Sequence, residues 1–567
     1  MACTVENAGG RNRSVGTTHS NSIARRDRAS RSRTASPRER KNASSTAAVA
    51  SRETVAMPRE GAARHRFGWC AYDFANSAFH QATGAVFAPL AIDAAATARA
   101  WALAGATAPS ACDDATTTGC RECVRGLGAR LVTSRNPTAH VAIEIPRLPG
   151  GLDPTGFVFL VVSVSVLAQA CCFVTLGTFG NYGDARGRFM RAASRVGASA
   201  NVALISLAIG NEMYGLAGAL LAVGNVALGV SVVFYNSYLP LMVDADANVV
   251  EAVEGAKIGK KSEEEVNAVR EAVTNEISSA GQGYGYVGGT SALVCGFIAV
   301  IVAGAAGAND RTSLAVGCVI AGLWWGIFAE IAFRFMPADG EYPGLPKPAG
   351  GLSYFAGWTN TYATLKHVWH SDRATVYYLI LFFFFSDGYS TMTTVSLLFA
   401  SRELCMGILS LIILAIIVPL FAAIGNFVWL RIQRKMGWTT KQTLVINLVL
   451  LGCLPLWGCI GFFTGSVGLQ TEVELYLLAV LFGFLLGSTQ AYARSQFTEL
   501  IPPGHESDMF ALFEITDKGS SWLGPLVAAS IVSGTGKIRP MLVYLACELI
   551  IPALIVRSLT IKPLARS

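Results

Sequence analysis

About twelve long apolar runs divide this chain, and they restrict it to a helical bundle that crosses a membrane many times. A helix needs roughly 20 mainly apolar residues to span the hydrocarbon core. The runs are too continuous for the alternating segments of a transmembrane β-barrel. We therefore predict an all-α membrane protein with spans at 68–92, 156–180, 193–210, 213–242, 279–305, 312–336, 374–400, 405–430, 442–464, 474–493, 509–533 and 538–557.

The basic charge of the chain lies mostly before the first of these runs. Residues 1–66 contain fourteen Lys and Arg against five Asp and Glu, whereas the whole chain has a formal net charge of only +7. This segment is also rich in Ser and poor in large apolar residues, which predicts disorder. Three interpretations remain: a solvated cytosolic tail, a cleaved organelle transit peptide, or a segment that binds anionic lipid headgroups.

Basic residues in the short connections predict the orientation. Lys and Arg are concentrated in 181–192 and 431–441, whereas 306–311 and 465–473 contain one or none. Because short basic loops remain in the cytosol, both termini are predicted to be cytosolic. The connection 93–155 has six arginines on the other side, but long loops are translocated largely regardless of charge.

The spans divide six and six around a Pro- and Gly-rich segment, and each half has a basic loop after its second span. This arrangement is typical of secondary transporters that are built from two parallel repeats. The predicted organisation is a disordered tail at 1–66, a first half at 67–336 with a lumenal insert at 93–155 and a cytosolic insert at 244–278, a central cytosolic loop at 337–373, a second half at 374–557, and a cytosolic tail at 558–567.

The two inserts leave several interpretations open. Cys112, Cys120 and Cys123 lie close together in the lumenal insert. They could form one disulfide with a free thiol, remain unpaired, or bind zinc, although the usual second pair of zinc ligands is missing. The cytosolic insert at 244–278 has charges compatible with a solvated helix, or with a site for a partner protein.

Carboxylates inside apolar runs are the first candidates for function. Asp73 and Asn76 follow Tyr72 near the start of the first span, and Asp387 lies half-way along the seventh. A carboxylate at membrane depth is costly and usually faces a cavity or the interior of the bundle. Asp387 is therefore either a hydrogen-bonded structural group or a group that binds substrate or a proton. Because the first span enters from the cytosol, Asp73 is placed at the cytosolic rim of the cavity.

The segment from Gly281 to Gly289 contains five glycines within nine residues. It matches a dinucleotide-binding motif formally, but no strand precedes it and it opens a membrane helix. Glycines four residues apart lie on one helix face and allow close packing of helices. Packing is one interpretation; in the other, Gln282, Tyr284 and Tyr286 face the cavity and contact substrate.

Charged residues in the last third of the chain form two further groups. Arg494 and Glu499 are expected near the cytosolic surface, as an ion pair that gates the cavity or as simple interfacial anchors. Glu514 and Lys518 are four residues apart and could pair on one helix face, which would leave Asp517 turned elsewhere. Self-neutralisation and recognition of a charged substrate are both compatible with this cluster.

Other classes of function lack the residues that they need. We identify no nucleophile with a base, no metal cage, no phosphate-binding loop and no surface that would read nucleic-acid bases. The sequence therefore predicts a protein that is not an enzyme and that uses no cofactor or metal. Its expected partners are the lipid bilayer, a small-molecule substrate and a proton as coupling ion.

Five motifs occur in order and together resemble a known family. They are Gly68-Trp69-x-x-Tyr72-Asp73-Phe74-Ala75-Asn76-Ser77, Phe234-Tyr235-Asn236-Ser237-Tyr238-Leu239-Pro240, the segment from Gly281 to Gly289, Ser386-Asp387-Gly388, and Arg494-Ser495 with Ile501-Pro502 through Gly524-Pro525. Over roughly 67–557 the chain resembles the autophagy-related vacuolar amino-acid effluxer family of the major facilitator superfamily. The resemblance implies a bundle of twelve helices in two pseudo-symmetric halves.

The resemblance also implies a function. A member would release amino acids such as leucine, isoleucine and tyrosine from the vacuole to the cytosol after autophagic breakdown, by alternating access. Transport of a drug or an organic acid, a non-transporting receptor or scaffold, and another organellar membrane are the alternatives. The candidate substrate- or proton-binding residues are Asp387, Asp73, Tyr72, Asn76, Asn236, Gln282, Tyr284 and Asp517, and the candidate gating residues are Arg494 and Glu499.

The chain departs from the pattern of the superfamily in one loop. An acidic residue usually follows a few positions after the equivalent of Gly177. Asn181 occupies that place here, and Asp184 is shifted toward the loop. This departure calls the usual gating ion pair of the loop into question.

Overall fold

The computed structural model describes residues 59–105 and 147–560, apart from positions 343, 349–352, 354, 372, 405, 407, 522 and 536. Most of the predicted N-terminal tail therefore lies outside the described residues, as does most of the predicted C-terminal tail. Cys112, Cys120 and Cys123 of the predicted lumenal insert lie outside them as well. The described part of the chain is built from helices, with no strand.

Each predicted span contains at least one helix, and nine helices of the described residues are long and apolar enough to cross a membrane. The other three spans are α3 and α7, which are more polar, and α11, whose two segments are short. The twelve helices are α1 (Arg59–Ala78, continuing through Phe79–Phe87 and Ala88–Leu103), α2 (Pro154–Gly180), α3 (Ala185–Ala203), α4 (Tyr214–Asn236), α5 (Glu263–Ala305), α6 (Asp310–Phe333), α7 (Arg373–Arg402), α8 (Ile408–Met436), α9 (Thr440–Ile460), α10 (Glu472–Thr498), α11 (Glu506–Ser520, continuing as Leu523–Thr535) and α12 (Met541–Ser558).

The helix neighbours of the first half recur in the second half. In the first half α1 packs against α5 and α6, α2 against α4, and α3 against α4 and α6. In the second half α7 packs against α11 and α12, α8 against α10, and α9 against α10 and α12. The halves meet through α2 with α11 and through α5 with α8, which are equivalent contacts. Two six-helix pseudo-repeats produce this pattern.

Close packing of α1 on α5 explains the glycine-rich segment. A Cβ atom at Gly281 would lie 2.2 Å from the ring of Trp69, and one at Gly289 would lie 2.4 Å from Cδ of Gln81. Gly285 approaches Asp73 in the same way. The packing interpretation is confirmed, because any larger residue on this face would push the two helices apart.

The first helix is longer than its predicted span and has an unusual middle. It continues into the predicted insert at 93–155, because the alanine-rich stretch Ala88–Leu103 has high helix propensity. Residues Phe79–Phe87 form a π-helix, a wider turn that often occurs at functional sites. The wider turn changes which side chains face the interior.

The cytosolic insert predicted at 244–278 is helical, as its charges suggest. Short helices occupy Leu239–Asp244 and Ala247–Lys257. The first turns of α5 complete the insert, and they begin at a capping box formed by Ser262 and Glu265. The side chain of Ser262 accepts from the Glu265 N–H, which satisfies an N–H group that has no partner within the helix.

The predicted central loop contains a helix that the Pro- and Gly-rich composition did not suggest. Pro and Gly are concentrated at 343–351, and the following residues form the helix Ala356–Ser371. This helix packs against α2, where Trp358 Nε1 donates to Thr175 Oγ1 at 3.2 Å. Tyr362 is largely exposed, as is typical of aromatic residues at a membrane–water interface.

The eleventh helix is interrupted, although a single span at 509–533 was predicted. The hydroxyl of Ser520 donates to the Asp517 carbonyl and that of Ser521 to the Lys518 carbonyl, and Pro525 has no N–H to continue the ladder. The first segment packs against α2, α4 and α7, whereas the second packs against α7 and α12. The break therefore separates an interface between the halves from a contact within one half.

Candidate functional site

A cavity of about 600 Å³ lies between the two halves. Its lining is polar near the end of the bundle that carries the connections 181–184 and 437–439, which we call the closed end. Toward the opposite end the lining becomes apolar and includes Leu397, Leu414, Leu475 and Leu542. The polar lining residues include Asp73, Asn76, Ser77, His80, Gln81, Asn236, Gln282, Gln490, Arg494, Glu514, Asp517 and Lys518, and Gln169, Asn225, Ser390, Thr393, Thr394 and Ser396 also line the cavity.

Arg494 is fixed at the polar end of this cavity by neutral groups. Its Nε donates to Ser278 Oγ at 3.0 Å, one terminal nitrogen donates to the Ser278 carbonyl at 2.8 Å, and the other donates to Asn236 Oδ1 at 3.1 Å. The guanidinium also lies 5.0 Å above the ring of Trp69. Within the described residues no carboxylate forms an ion pair with Arg494. The cavity thus contains a positioned cation that a ligand could neutralise.

The sequence suggested Arg494 and Glu499 as a gating pair, and the structure separates them. Glu499 accepts from Gln496 Nε2 at 2.9 Å and lies near Thr440 at the closed end, outside the cavity. Five helical positions put two side chains about 140° apart around the axis. Arg494 therefore faces the cavity, while Glu499 faces α5 and α9.

The charged cluster on α11 is paired differently from the predicted i,i+4 arrangement. Lys518 Nζ contacts Asp517 Oδ2 at 3.0 Å, and Glu514 Oε1 instead accepts from Asn236 Nδ2 at 2.9 Å. Asp517 also accepts from Tyr389 at 3.0 Å and from Ser386. Asn236 consequently bridges Arg494 and Glu514, which links the two halves at the base of the cavity.

The π-helix of α1 brings two further residues into the cavity. His80 and Gln81 both line it. The sequence signal was two consecutive polar residues inside an apolar run, but a regular 3.6-residue period does not predict the face that a π-helix presents. These cavity residues were missed by sequence reasoning for that reason.

On α5 the structure distinguishes two of the sequence candidates. Gln282 Nε2 donates to Gln490 Oε1 at 2.9 Å, and Tyr286 donates to the same oxygen at 2.5 Å. Both face the cavity. Tyr284 lies on the outer side, half exposed and packed edge-on to Phe427 at 6.1 Å. Two residues along a helix correspond to about 200°, so neighbours at i+2 face opposite sides.

On α1 the candidates are divided in the same way. Asp73 and Asn76 line the cavity, and Asn76 Nδ2 has no hydrogen-bond partner among the described residues. Tyr72 does not line it. Tyr72 is fully buried, and its hydroxyl lies 2.5 Å from Ser194 Oγ on α3. Tyr72 fixes the packing of the first half rather than facing the cavity.

Asp387, the leading sequence candidate for substrate binding, also lies outside the cavity lining. Its side chain is fully buried. At this point α7 packs against α12, since a Cβ atom at the next residue, Gly388, would lie 3.4 Å from Cγ of Glu548. Neither carboxylate oxygen of Asp387 has a hydrogen-bond partner among the described residues. One position along α7, Ser386 contacts Asp517 of the cavity. Neighbouring positions of one helix thus serve two different sites.

The closed end is held by two clusters that join the halves. The first, which we call latch A, consists of Asn181, Arg186, Glu506, Ser507 and Asp508. Asn181 Nδ2 donates to Asp508 Oδ1 at 2.7 Å, and Asn181 Oδ1 accepts from the Ser507 N–H at 2.8 Å. Arg186 lies 3.5 Å from Glu506. A neutral amide thus occupies the place where an acidic residue was expected.

The second cluster, which we call latch B, consists of Glu271, Asn275, Thr440 and Glu499. Asn275 Nδ2 donates to Thr440 Oγ1 at 2.7 Å, and this hydroxyl donates to Glu271 Oε1 at 2.7 Å. The Thr440 N–H donates to the same carboxylate, which caps the start of α9. Glu499, the first residue after α10, is adjacent.

Comparison with known proteins agrees with this architecture. The sequence matches the family described as "Vacuole effluxer Atg22 like" over residues 62–562. Autophagy-related protein 22-1 of Phaeosphaeria nodorum is 28% identical over 519 residues, which cover 86% of this chain and 88% of that protein. Autophagy-related protein 22 of Pyricularia oryzae is 30% identical over 71% of this chain and 64% of that protein.

Solved structures show the same fold. The human organic anion transporter MFSD10 superposes with a TM-score of 0.53 at 13% identity, covering 88% of this chain and 100% of that one. A bacterial homologue of the iron transporter ferroportin superposes with a TM-score of 0.51 at 12% identity, covering 72% of this chain and 91% of that one.

The two six-helix repeats and the cavity between them define a membrane transporter of the major-facilitator type, not an enzyme. The chain belongs to the vacuole effluxer Atg22-like family. It is a multi-pass protein of the vacuolar membrane and a transporter of autophagy. The family resemblance that the motifs indicated is therefore confirmed.

Proposed function

We propose that this transporter releases amino acids from the vacuole to the cytosol by alternating access. The observation that supports this substrate class is the composition of the cavity. At one end lie Arg494, which forms no ion pair with a described carboxylate, and two carboxylates, Asp73 and Glu514. The other end is mainly apolar. Such a cavity complements a zwitterion with an apolar side chain, such as leucine, isoleucine or tyrosine.

Each polar group has a role in this proposal. Arg494 binds the substrate carboxylate, because its described partners are neutral and leave its charge uncompensated. Asn76 Nδ2 is a second donor, since it has no hydrogen-bond partner among the described residues. Asp73 and Glu514 bind the ammonium group. The leucine-rich end accommodates the side chain, since burial of apolar surface stabilises such a complex.

Alternating access assigns the latches to the gate on one side of the membrane. With cytosolic termini, as the basic loops predict, the closed end faces the cytosol and the cavity receives substrate from the vacuolar lumen. Release then requires latch A and latch B to separate while the opposite end closes. A proton is the proposed coupling ion, with Asp73 or Asp387 as the carriers that the sequence suggested.

Reconstituted vesicles test the substrate class. Radiolabelled leucine should exchange across proteoliposomes that contain the full chain. Arg494→Gln should reduce this exchange at least tenfold, because it removes the cation that binds the carboxylate. Glu251→Gln is the control, since Glu251 is exposed on a short helix outside the cavity. Removal of residues 1–60 should also leave the exchange intact.

Absence of flux for every amino acid, in protein that elutes as a single species, would reject the proposal in favour of a receptor or scaffold. The cavity has two cations, Arg494 and Lys518, and the structural relative MFSD10 is an organic anion transporter. Organic anions are therefore the second candidate substrates. Their flux, without competition from amino acids, would identify this alternative.

A further inference from the structure

Two buried carboxyl groups face each other outside the cavity, and their role is not explained by substrate binding. Asp387 on α7 is fully buried and Glu548 on α12 is 6% exposed. The two helices pack closely here, since a Cβ atom at Gly388 would lie 3.4 Å from Cγ of Glu548. Two carboxyl groups that are buried side by side can share a hydrogen bond only if one of them carries a proton. The burial of both groups on packed helices therefore favours a bound proton.

The surroundings of the pair contain little that could stabilise two negative charges. Neither oxygen of Asp387 receives a hydrogen bond from a described residue, although the Gly524 N–H and the Thr391 hydroxyl are near. Glu548 Oε1 accepts from Tyr544 at 2.8 Å, and Glu548 Oε2 has no partner among the described residues. Two ionised carboxylates in this environment would repel each other without compensation.

The charged groups on α9 and α11, which pack against α12 or α7, have partners of their own. On α11 the nearest are Asp517 and Lys518, which pair with each other. Lys441, the one charged residue of α9, bonds to the carbonyls of Arg557 and Leu559 beyond the end of α12. The second segment of α11, Leu523–Thr535, contains no charged residue. Among the described residues, Tyr544 donates to Glu548 and the Thr391 hydroxyl lies near Asp387.

The position of the pair couples it to the cavity. Ser386 and Tyr389, which flank Asp387 on α7, both donate to Asp517 in the cavity lining. The interruption of α11 places Gly524 against Thr391, where a Cβ atom would lie 1.7 Å from Oγ1. A movement of α7 or of the second segment of α11 would therefore alter the contact between Asp387 and Glu548.

We propose that Asp387 and Glu548 form a proton-binding site, separate from the substrate cavity, that takes up and releases the proton coupled to transport. One carboxyl group carries the proton as O–H and donates it to the other carboxylate. When the helices move and water reaches the pair, that O–H bond breaks and the proton leaves to water. The coupling role rests on the proposed transport function, whereas proton binding by the pair does not.

Infrared difference spectroscopy tests proton binding without transport. The reconstituted protein near neutral pH should show the carbonyl stretch of a protonated carboxylic acid that titrates as the pH is raised. Asp387→Asn, Glu548→Gln and the double variant should each lose this component, and Glu251→Gln should keep it. Persistence of the same band in the double variant, in folded protein, would overturn the proposal.

Proton movement tests the coupling. A pH-sensitive dye inside proteoliposomes should report acid movement driven by a leucine gradient. The single variants should reduce this movement at least tenfold, whereas Glu251→Gln should leave it at the wild-type level. Proton movement at the wild-type ratio in the double variant would overturn the coupling role. Absence of leucine exchange in the wild type would instead reject the proposed substrate and leave the spectroscopic result to decide on the proton site.

Discussion

Latch A and latch B close the same end of the molecule at equivalent places in the two repeats, yet they use different chemistry. Latch A joins α2 and α3 to α11 through a buried ion pair and an amide–carboxylate hydrogen bond. Latch B joins α5 to α9 and α10 through one threonine hydroxyl between an amide and carboxylates. Pseudo-symmetry thus conserves the location of the gate, while the residues that form it have diverged.

The different chemistry of the two latches predicts different destabilisation when one interacting group is removed by substitution. Arg186 and Glu506 are both almost completely buried, and removal of one partner of a buried ion pair is strongly destabilising. In latch B the hydroxyl of Thr440 is neutral. Its loss should therefore cost less free energy than the loss of one partner of the buried ion pair in latch A. Latch A should therefore be the more fragile of the two to single substitutions.

Arg186→Met should have the largest effect. We expect it to destabilise latch A by about 3 kcal/mol, because it removes the cation that pairs with the buried Glu506 carboxylate. Hydrogen exchange of the segments 176–190 and 500–512 should accelerate, while the segments of latch B remain protected. Adding Glu506→Gln should restore part of the protection. Equal loss of protection at both latches would show that they open as one unit.

Asn181→Asp should have the next largest effect. It restores the acidic residue that the superfamily pattern predicted, but it replaces a donor to Asp508 with a like charge. A loss of about 2 kcal/mol is expected at neutral pH. The loss should shrink at acid pH, where the two carboxyl groups share a proton. The double variant N181D/D508N exchanges donor and acceptor and should recover protection; failure to recover would mean that the carboxylate itself is needed at position 508.

Thr440→Val tests latch B, because valine has nearly the same shape as threonine but lacks the hydroxyl. It removes the acceptor of Asn275 and the donor to Glu271, which should cost about 1–2 kcal/mol. Faster hydrogen exchange is expected in 268–278 and 437–443 only. Thr443→Val is the matched control, because the Thr443 hydroxyl donates to the Thr439 carbonyl within its own helix. Equal acceleration of hydrogen exchange in the two variants would contradict the proposal that the Thr440 hydroxyl stabilises latch B.

The sequence predicted individual helices better than the contacts between them. Apolar run lengths predicted the helices, and the spacing of Gly281, Gly285 and Gly289 predicted a close helix contact, which α5 makes with α1. Asp73, Asn76, Asn236, Gln282 and Asp517 line the cavity, because polar residues in apolar runs face inward. Their role in binding substrate or a proton stays a prediction. These features depend on local periodicity.

Contacts across the halves could not be predicted in this way. Asn181 and Asp508 are separated by 327 positions, and no local pattern brings them together. Asp387 was placed in the cavity because its helix was known and the face it presents was not. Its neighbour Glu548 lies in the last span and showed no motif. The helix Ala356–Ser371 was missed because composition was averaged over 337–373.

A final prediction separates the latches by their response to pH. Burial, together with the nearby charge of Glu271, raises the pKa of Glu499 from 4.5 to about 8. Below pH 4.5 this carboxyl group is protonated in any arrangement. Between pH 4.5 and 8 the closed arrangement holds a proton that an exposed carboxylate would release. The stability of the closed arrangement relative to one with Glu499 exposed therefore declines as the pH rises, and it is lowest above pH 8.

Glu499→Gln should remove this decline, because the amide resembles the protonated acid at every pH. We expect protection of latch B to rise by about 1 kcal/mol at pH 8 and to change little at pH 4.5. His505 is the counterpart beside latch A: its hydrogen bond to Asp508 raises its pKa, so its contribution is complete below pH 6.5 and is also lost as the pH rises, but only above that value. His505→Gln should flatten the pH dependence of latch A alone, and an effect of Glu499→Gln at latch A would show that one titration controls both.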